Sequence, residues 1–129
     1  MKGYITNIEK ATVENADYRR VLYTAKNSQL VLMSLKAGEE IGEEVHHLDQ
    51  FIRIEVGKCK VVLDGAESIM EEDYAVVIPA GTKHNVINIG EIDLKLYSIY
   101  SPPEHKDGTV HKTKADVAEE HFDGETTEG

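Results

Sequence analysis

The chain has one cysteine, no tryptophan, three prolines and only 6% aromatic residues in 129 positions. A lone Cys59 makes no intramolecular disulfide, so packing and not a cross-linked framework must hold the fold. It reads as a small residue at the start of a strand, with no base or helix end beside it to activate the thiol. No apolar run is long enough to span a bilayer and no charged-then-apolar leader stands at the N-terminus. Together these predict a cytoplasmic protein. Basic residues are also scarce: 14 Lys and Arg stand against 24 Asp and Glu, a net charge of −10. A surface of that sign repels phosphate backbones and anionic headgroups, which argues against nucleic-acid and membrane partners. A small-molecule substrate or ligand is the partner class left.

What is present is a succession of short apolar runs punctuated by turn residues, which predicts an all-β fold. Strands are expected over residues 18–25, 29–35, 45–56, 58–63, 66–70, 74–78, 84–89 and 93–100. Asp64-Gly65 between two such runs is the strongest hairpin signal. Pro79-Ala80-Gly81-Thr82 reads as a tight turn that delivers His84 onto the next strand. With 40% hydrophobic residues the chain is long enough for one core. The organisation expected is an N-terminal extension with the first strand or strands (1–28), a barrel (29–103) and a polar C-terminal tail (104–129). Residues 5–15 fit either a short helix or an added strand. In the tail, His105, His111 and His121 are spaced as in a solvated segment, residues 112–121 fit one or two helical turns, and residues 124–129 read as disordered.

The chemistry concentrates in residues 44–56. A period of two places Glu44, His46, Gln50, Ile52 and Ile54 on one face, and His47, Phe51, Arg53 and Glu55 on the other. A face that is apolar at one end and carries Glu, His and Gln at the other looks like a barrel interior with a polar mouth. Burying an unpaired carboxylate and imidazole costs on the order of several kcal/mol, and a shared divalent cation would satisfy both. His47 cannot join His46 on one ion from an extended strand.

Two spacings then agree with a known pattern: Gly38, Glu44, His46, Gln50 and Gly57 in the first stretch, and Pro79-Ala80-Gly81, His84 and Asn88 in the second. Together they resemble the two signature motifs of the cupin superfamily, over roughly residues 29–103. The resemblance implies a jelly-roll β-barrel (double-stranded β-helix) with one divalent transition metal on Glu44, His46, Gln50 and His84. This chain has Glu44 at the family's first His position and Gln50 at its Glu position, while Asp73 stands where the second motif usually opens with Gly. Mixed nitrogen and oxygen ligation suits Zn, Mn, Fe or Ni, and nothing in the sequence chooses among them. The stretch 107–112 is similar to small single-domain cupins labelled mannose-6-phosphate isomerase-like.

The activity so implied is a metalloenzyme acting on a small polar substrate such as a sugar or sugar phosphate, isomerase-like in chemistry. A metal-dependent dioxygenase and a non-catalytic sensor of a small ligand or metal are the alternatives, and fold alone does not separate them. Lys and Arg are few on the presumed inward faces. Tyr100, sharing a face with Leu94, Leu96 and Ser98, is the candidate pocket-lining hydroxyl. Phe51, Tyr97 and Ile99 face outward, which predicts a two-fold homodimer.

Overall fold

The computed structural model describes residues 2–118 and 120–129. Runs rich in Val, Ile, Leu and Tyr form strands where turn residues bound them: β1 (Arg19–Thr24), β2 (Gln29–Leu35), β3 (Asp49–Val56) and β4 (Lys58–Leu63), then β5 (Ala66–Glu71), β6 (Ala75–Ile78), β7 (His84–Asn88) and β8 (Leu94–Ser101). Each overlaps an expected run. A two-residue β9 (Val110–His111) lies outside the expected set. The third expected strand is shorter than its pattern, because residues 45–48 bend and only β3 keeps ladder pairing.

The strands form an antiparallel six-stranded sheet, β6-β3-β8-β2-β1-β9, and a three-stranded sheet, β5-β4-β7. Inward residues of both, among them Met33, Leu35, Ile52, Ile54, Val61 and Leu96, make one core. Each side chain of this kind contributes about 1.5–3 kcal/mol when fully buried. The sheets do not close into a barrel; they are two layers, and the isolated pairs Glu40↔Ile87 and Glu44↔His84 lay the segment between β2 and β3 along β7 of the smaller one. This is the jelly-roll arrangement, in which two sheets share the inward faces of all strands.

Turn chemistry sets the registers. Asp64 and Gly65 have φ of 48° and 85° and join the directly paired Leu63 and Ala66, as a primed hairpin turn requires. Gly57 has φ of 99°, and a Cβ there would lie 3.2 Å from the Asp93 carbonyl oxygen and the Leu94 Cα. Glycine is therefore required where β3 passes into β4. Asp73 takes a φ of 73°, the conformation that explains why glycine is common at its position in the motif.

The segment left open between helix and strand is a helix, α1 (Ile8–Glu14), capped by the Asn7 side chain on the Lys10 amide. It packs on β2, β3 and β8. Leu32, on the face of β2 opposite the core, is buried there. Phe51, Tyr97 and Ile99 lie on this outer face too and are half-buried, not open to solvent.

The C-terminal segment differs most from expectation. Many of its residues are exposed, as a tail's would be, yet it is bonded to the body at several points. The buried Gln29 amide grips it: its Nε2 donates to the His105 carbonyl at 2.7 Å, and its Oε1 accepts from the His105 amide at 3.0 Å. β9 then pairs with β1, setting His111 opposite Arg19. One 3-10 turn, Lys114–Asp116, follows. The Thr127 hydroxyl accepts from the Thr24 amide at 2.8 Å. Backbone groups on an edge strand need partners, and the returning chain supplies them.

Candidate metal centre

Backbone pairing brings the two motif stretches together. Residues 38–44 run along β7, where the Ile41 amide donates to the Val86 carbonyl and the Asn88 amide to the Glu39 carbonyl. Glu44 and His84 then exchange both backbone hydrogen bonds, each at 2.9 Å. Directly opposed residues in such a pair point their side chains to the same side. The turn at 79–82 fastens the other side: the Ala80 amide donates to the Asp49 carboxylate at 2.9 Å and the Gly81 amide to the His46 carbonyl at 2.8 Å. Asn88 locks the end of β7 by donating to the Leu35 and Ile92 carbonyls and accepting from the Gly90 amide. That motif residue is structural.

Glu44, His46 and His84 are thereby gathered, with one donor atom from each within 4.8 Å of the others. The two imidazoles lie 5.1 Å apart between ring centres, and His46 Nε2 faces Glu44 Oε2 at 3.8 Å. His84 Nδ1 sits 2.9 Å from the Thr82 carbonyl, which can only accept. Nδ1 therefore carries the proton, and the Nε2 lone pair is left for a cation. Burial holds the His46 imidazole below its ordinary pKa, against the opposing pull of Glu104, which favours its neutral form. Its Nδ1 lies 3.7 Å from Glu104 Oε2.

Gln50 supplies the most telling test of fit. Its Nε2 donates to Ser98 Oγ at 3.3 Å, while its Oε1 is buried without any partner. An orphaned amide oxygen costs roughly 1–3 kcal/mol unless something satisfies it. Two imidazoles and a carboxylate gathered together, with an unpartnered amide oxygen at Gln50 on β3, make the ligand inventory of a transition metal, so the residues fit the group.

Tyr100 is buried, opposite Gln50 in the β3–β8 ladder, with its ring edge-on to His46 at 6.0 Å and to His105 at 5.0 Å. Burial pushes its hydroxyl far above the ordinary tyrosine range, so it stays protonated. His47 is exposed, as strand parity predicts. Cys59 is buried and its thiol is pushed up to about 11 by desolvation, which makes it inert.

Beside the triad lies a cavity of about 320 Å³ with Glu44 in its wall. Its other walls come from chain ends that the sequence reading left out: Tyr18 and Arg19 from the start of β1, and Glu104, His105, Lys114 and His121 from the returning segment. Arg19 is the main correction to the expectation that few basic groups face inward. It is only 6% exposed. Alternation of β1 with charged residues gave no hint, since Arg19 and Arg20 look alike in sequence and only the pairing with β9 turns Arg19 inward. Glu104 joins two imidazoles, His46 at 3.7 Å and His121 at 3.1 Å. His105 is held neutral, its pKa lowered to about 2 chiefly by burial.

A jelly roll of this topology with a His/Glu triad that could hold a metal ion defines a class of β-sandwich, and the cupin domain family matches residues 31–100. The chain belongs to the cupin family. It is 49% identical over 123 residues to the uncharacterized protein YrkC of Bacillus subtilis (strain 168), covering 90% of this chain and 66% of YrkC. It is 45% identical over 113 residues to the uncharacterized protein L612 of Acanthamoeba polyphaga mimivirus, covering 83% of this chain and 70% of L612. The chain thus spans about two thirds of the length of these curated relatives. The crystal structure of BH2720 from Bacillus halodurans superposes with a TM-score of 0.87 at 48% identity, covering 88% of this chain and 92% of that one. Among the described residues, no helix is long and apolar enough to cross a membrane.

Proposed function

We propose that this cupin is a metalloenzyme that holds a divalent transition metal on Glu44, His46 and His84, with the Gln50 amide oxygen as a fourth donor, and acts on a small polar substrate in isomerase-like fashion. The observation that carries this reading is the meeting of three donor side chains, one of which, Glu44, also lines an open cavity of about 320 Å³. Structural metal sites fill their coordination with protein atoms and have no use for an adjoining space, whereas catalytic ones keep positions open. The ion, when bound, supplies Lewis-acid polarisation of a carbonyl or hydroxyl and orients neighbouring oxygens. Glu44 belongs to both the triad and the cavity wall, so it is the group placed to take up and return a substrate proton. Glu104 orients the His46 ring, and the protonated Tyr100 edge backs it. The returning C-terminal segment roofs the cavity and limits water.

Metal analysis of untagged protein, followed by proton exchange in deuterated solvent over a panel of aldoses, ketoses and hydroxy acids, tests this. Stoichiometric metal with exchange at a carbon next to oxygen is expected. Metal without exchange on any member of the panel would favour the sensor reading, and absence of metal would remove both.

A further inference from the structure

The wall of the cavity that Glu44 lines also contains a cation that the fold itself leaves unanswered. Arg19 is 6% exposed and its Nε is buried with no hydrogen-bond partner. Its remaining contacts are to neutral groups: Nη1 lies 3.4 Å from His111 Nδ1, and the guanidinium sits 5.4 Å above the Tyr18 ring. Among the described residues, no carboxylate forms an ion pair with it. Buried arginines are ordinarily paired, because desolvating a guanidinium without a counter-charge costs several kcal/mol, on the order given for buried ions. A second unanswered polar atom belongs to a residue of the same wall, for His105 Nε2 is also buried without a partner. His105 is fixed from behind by the Gln29 fork on its backbone, so the ring is held at a set place in the wall.

We infer that Arg19 and His105 form an anion subsite for a substrate carboxylate, in the cavity that Glu44 of the metal centre also lines. The inference rests on the metal-centre reading for the substrate's second anchor, though not for Arg19 itself. The wall chooses a carboxylate over a phosphate. Glu43, Glu44, Glu104 and Glu120 line the cavity against Arg19 and Lys114, so the surroundings are net acidic and tolerate one added negative charge far better than two. The guanidinium fork matches a carboxylate in a two-point contact, and a neutral imidazole N–H adds a third donor. At about 320 Å³ the space suits a molecule of a few carbons up to a single sugar ring. The substrate class is then a hydroxy or sugar acid, not a sugar phosphate.

The test is isothermal titration of zinc-loaded protein with glycolate and D-glucuronate, each against its uncharged counterpart, glycolamide and D-glucose, and with inorganic phosphate as a further arm. The acids should bind at least about tenfold more tightly than the neutral compounds and than phosphate, by the differential of one charge-assisted contact. Arg19→Gln should lose that advantage, Arg19→Lys should recover part of it, and His105→Gln should weaken the acids by a smaller factor. Circular dichroism checks folding, and if Arg19→Gln does not fold, the comparison with Arg19→Lys decides. Equal binding of acid and neutral pairs, tighter binding of phosphate, or Arg19 variants that bind like the parent would each overturn the subsite. Zinc content is measured on the same samples. Stoichiometric zinc with no acid binding sinks the subsite and spares the metal centre, whereas zinc-free protein sinks the metal centre while the Arg19 comparison still reads the subsite.

Discussion

Replacing His84 by Ala separates a metal centre from a merely polar corner of the fold. His84 is 4% exposed and its imidazole makes one hydrogen bond, to the Thr82 carbonyl. Without metal, the substitution removes that bond and some packing, about 1–3 kcal/mol together. With metal, the parent gains a further RT ln(1 + [L]/Kd), about 2.7 kcal/mol when the ion stands at a hundred times its dissociation constant. For a chain of this size each kcal/mol moves Tm by about 3–5 °C, so the metal-dependent part alone is about 8–13 °C. Differential scanning calorimetry of parent and variant, each with and without a chelator, isolates it. The parent should drop by that amount on chelation and His84→Ala should not respond. His47→Ala, altering an exposed neighbour of His46, should behave like the parent in both metal content and chelator response. Equal metal content in His84→Ala and the parent would refute the assignment.

The Gln50 amide should rank below the imidazoles: Gln50→Ala should lose less metal than His46→Ala in equilibrium dialysis, and Gln50→Glu should hold metal at least as tightly, because a carboxylate is the stronger donor. Equal losses for Gln50→Ala and His46→Ala would make the amide a full ligand. For pH, burial depresses His46 and His105 below the ordinary imidazole value of 6.5. The unfolded chain therefore binds protons that the folded one refuses. Stability of the metal-free protein should be full above pH 6.5 and decline below it, by up to about 1.4 kcal/mol per pH unit for each such histidine. In urea titrations His105→Gln should flatten this slope, and an unchanged slope would contradict the burial of that ring. On the outer face, Val77 is 63% exposed next to half-buried Phe51, its partner in the β3–β6 ladder. A two-fold dimer through this edge is expected, so light scattering should give about twice the chain's 14.4 kDa for the parent. Val77→Glu should halve it, and a monomeric parent at micromolar concentration would leave α1 as the only cover that face needs.

Most of the strand order was written into local pattern. Apolar runs, the Asp64-Gly65 turn and the Gly57 passage act over a few residues, and a period of two places Gln50, Ile52 and Ile54 inward whatever else the chain does. The same logic failed at residues 45–48, where the pattern persists through a bend, because alternation reports which side a residue faces and not whether a neighbouring strand is there to pair. The alignment of Glu44 and His46 with His84 was legible only as a motif likeness. Its physical cause is a backbone exchange between segments some forty positions apart, which no periodicity encodes.

Arg19, Glu104 and His105 were invisible for a stronger form of the same reason. Arg19 sits in an expected strand where parity puts Arg19 and Arg20 on opposite faces without saying which is inward, and Glu104 and His105 open a stretch composed like a tail. Only the long-range closure, with Gln29 reaching 76 positions along the chain to His105 and β9 reaching 92 to set His111 against Arg19, turns these groups toward the cavity. Local alternation thus determined the class of fold, and the motif likeness, not composition, marked the donors of the candidate metal centre. Tertiary structure alone decided which groups share a cavity with Glu44 of that centre, because pairing of an edge strand with a distant segment is a property of the assembled sheet.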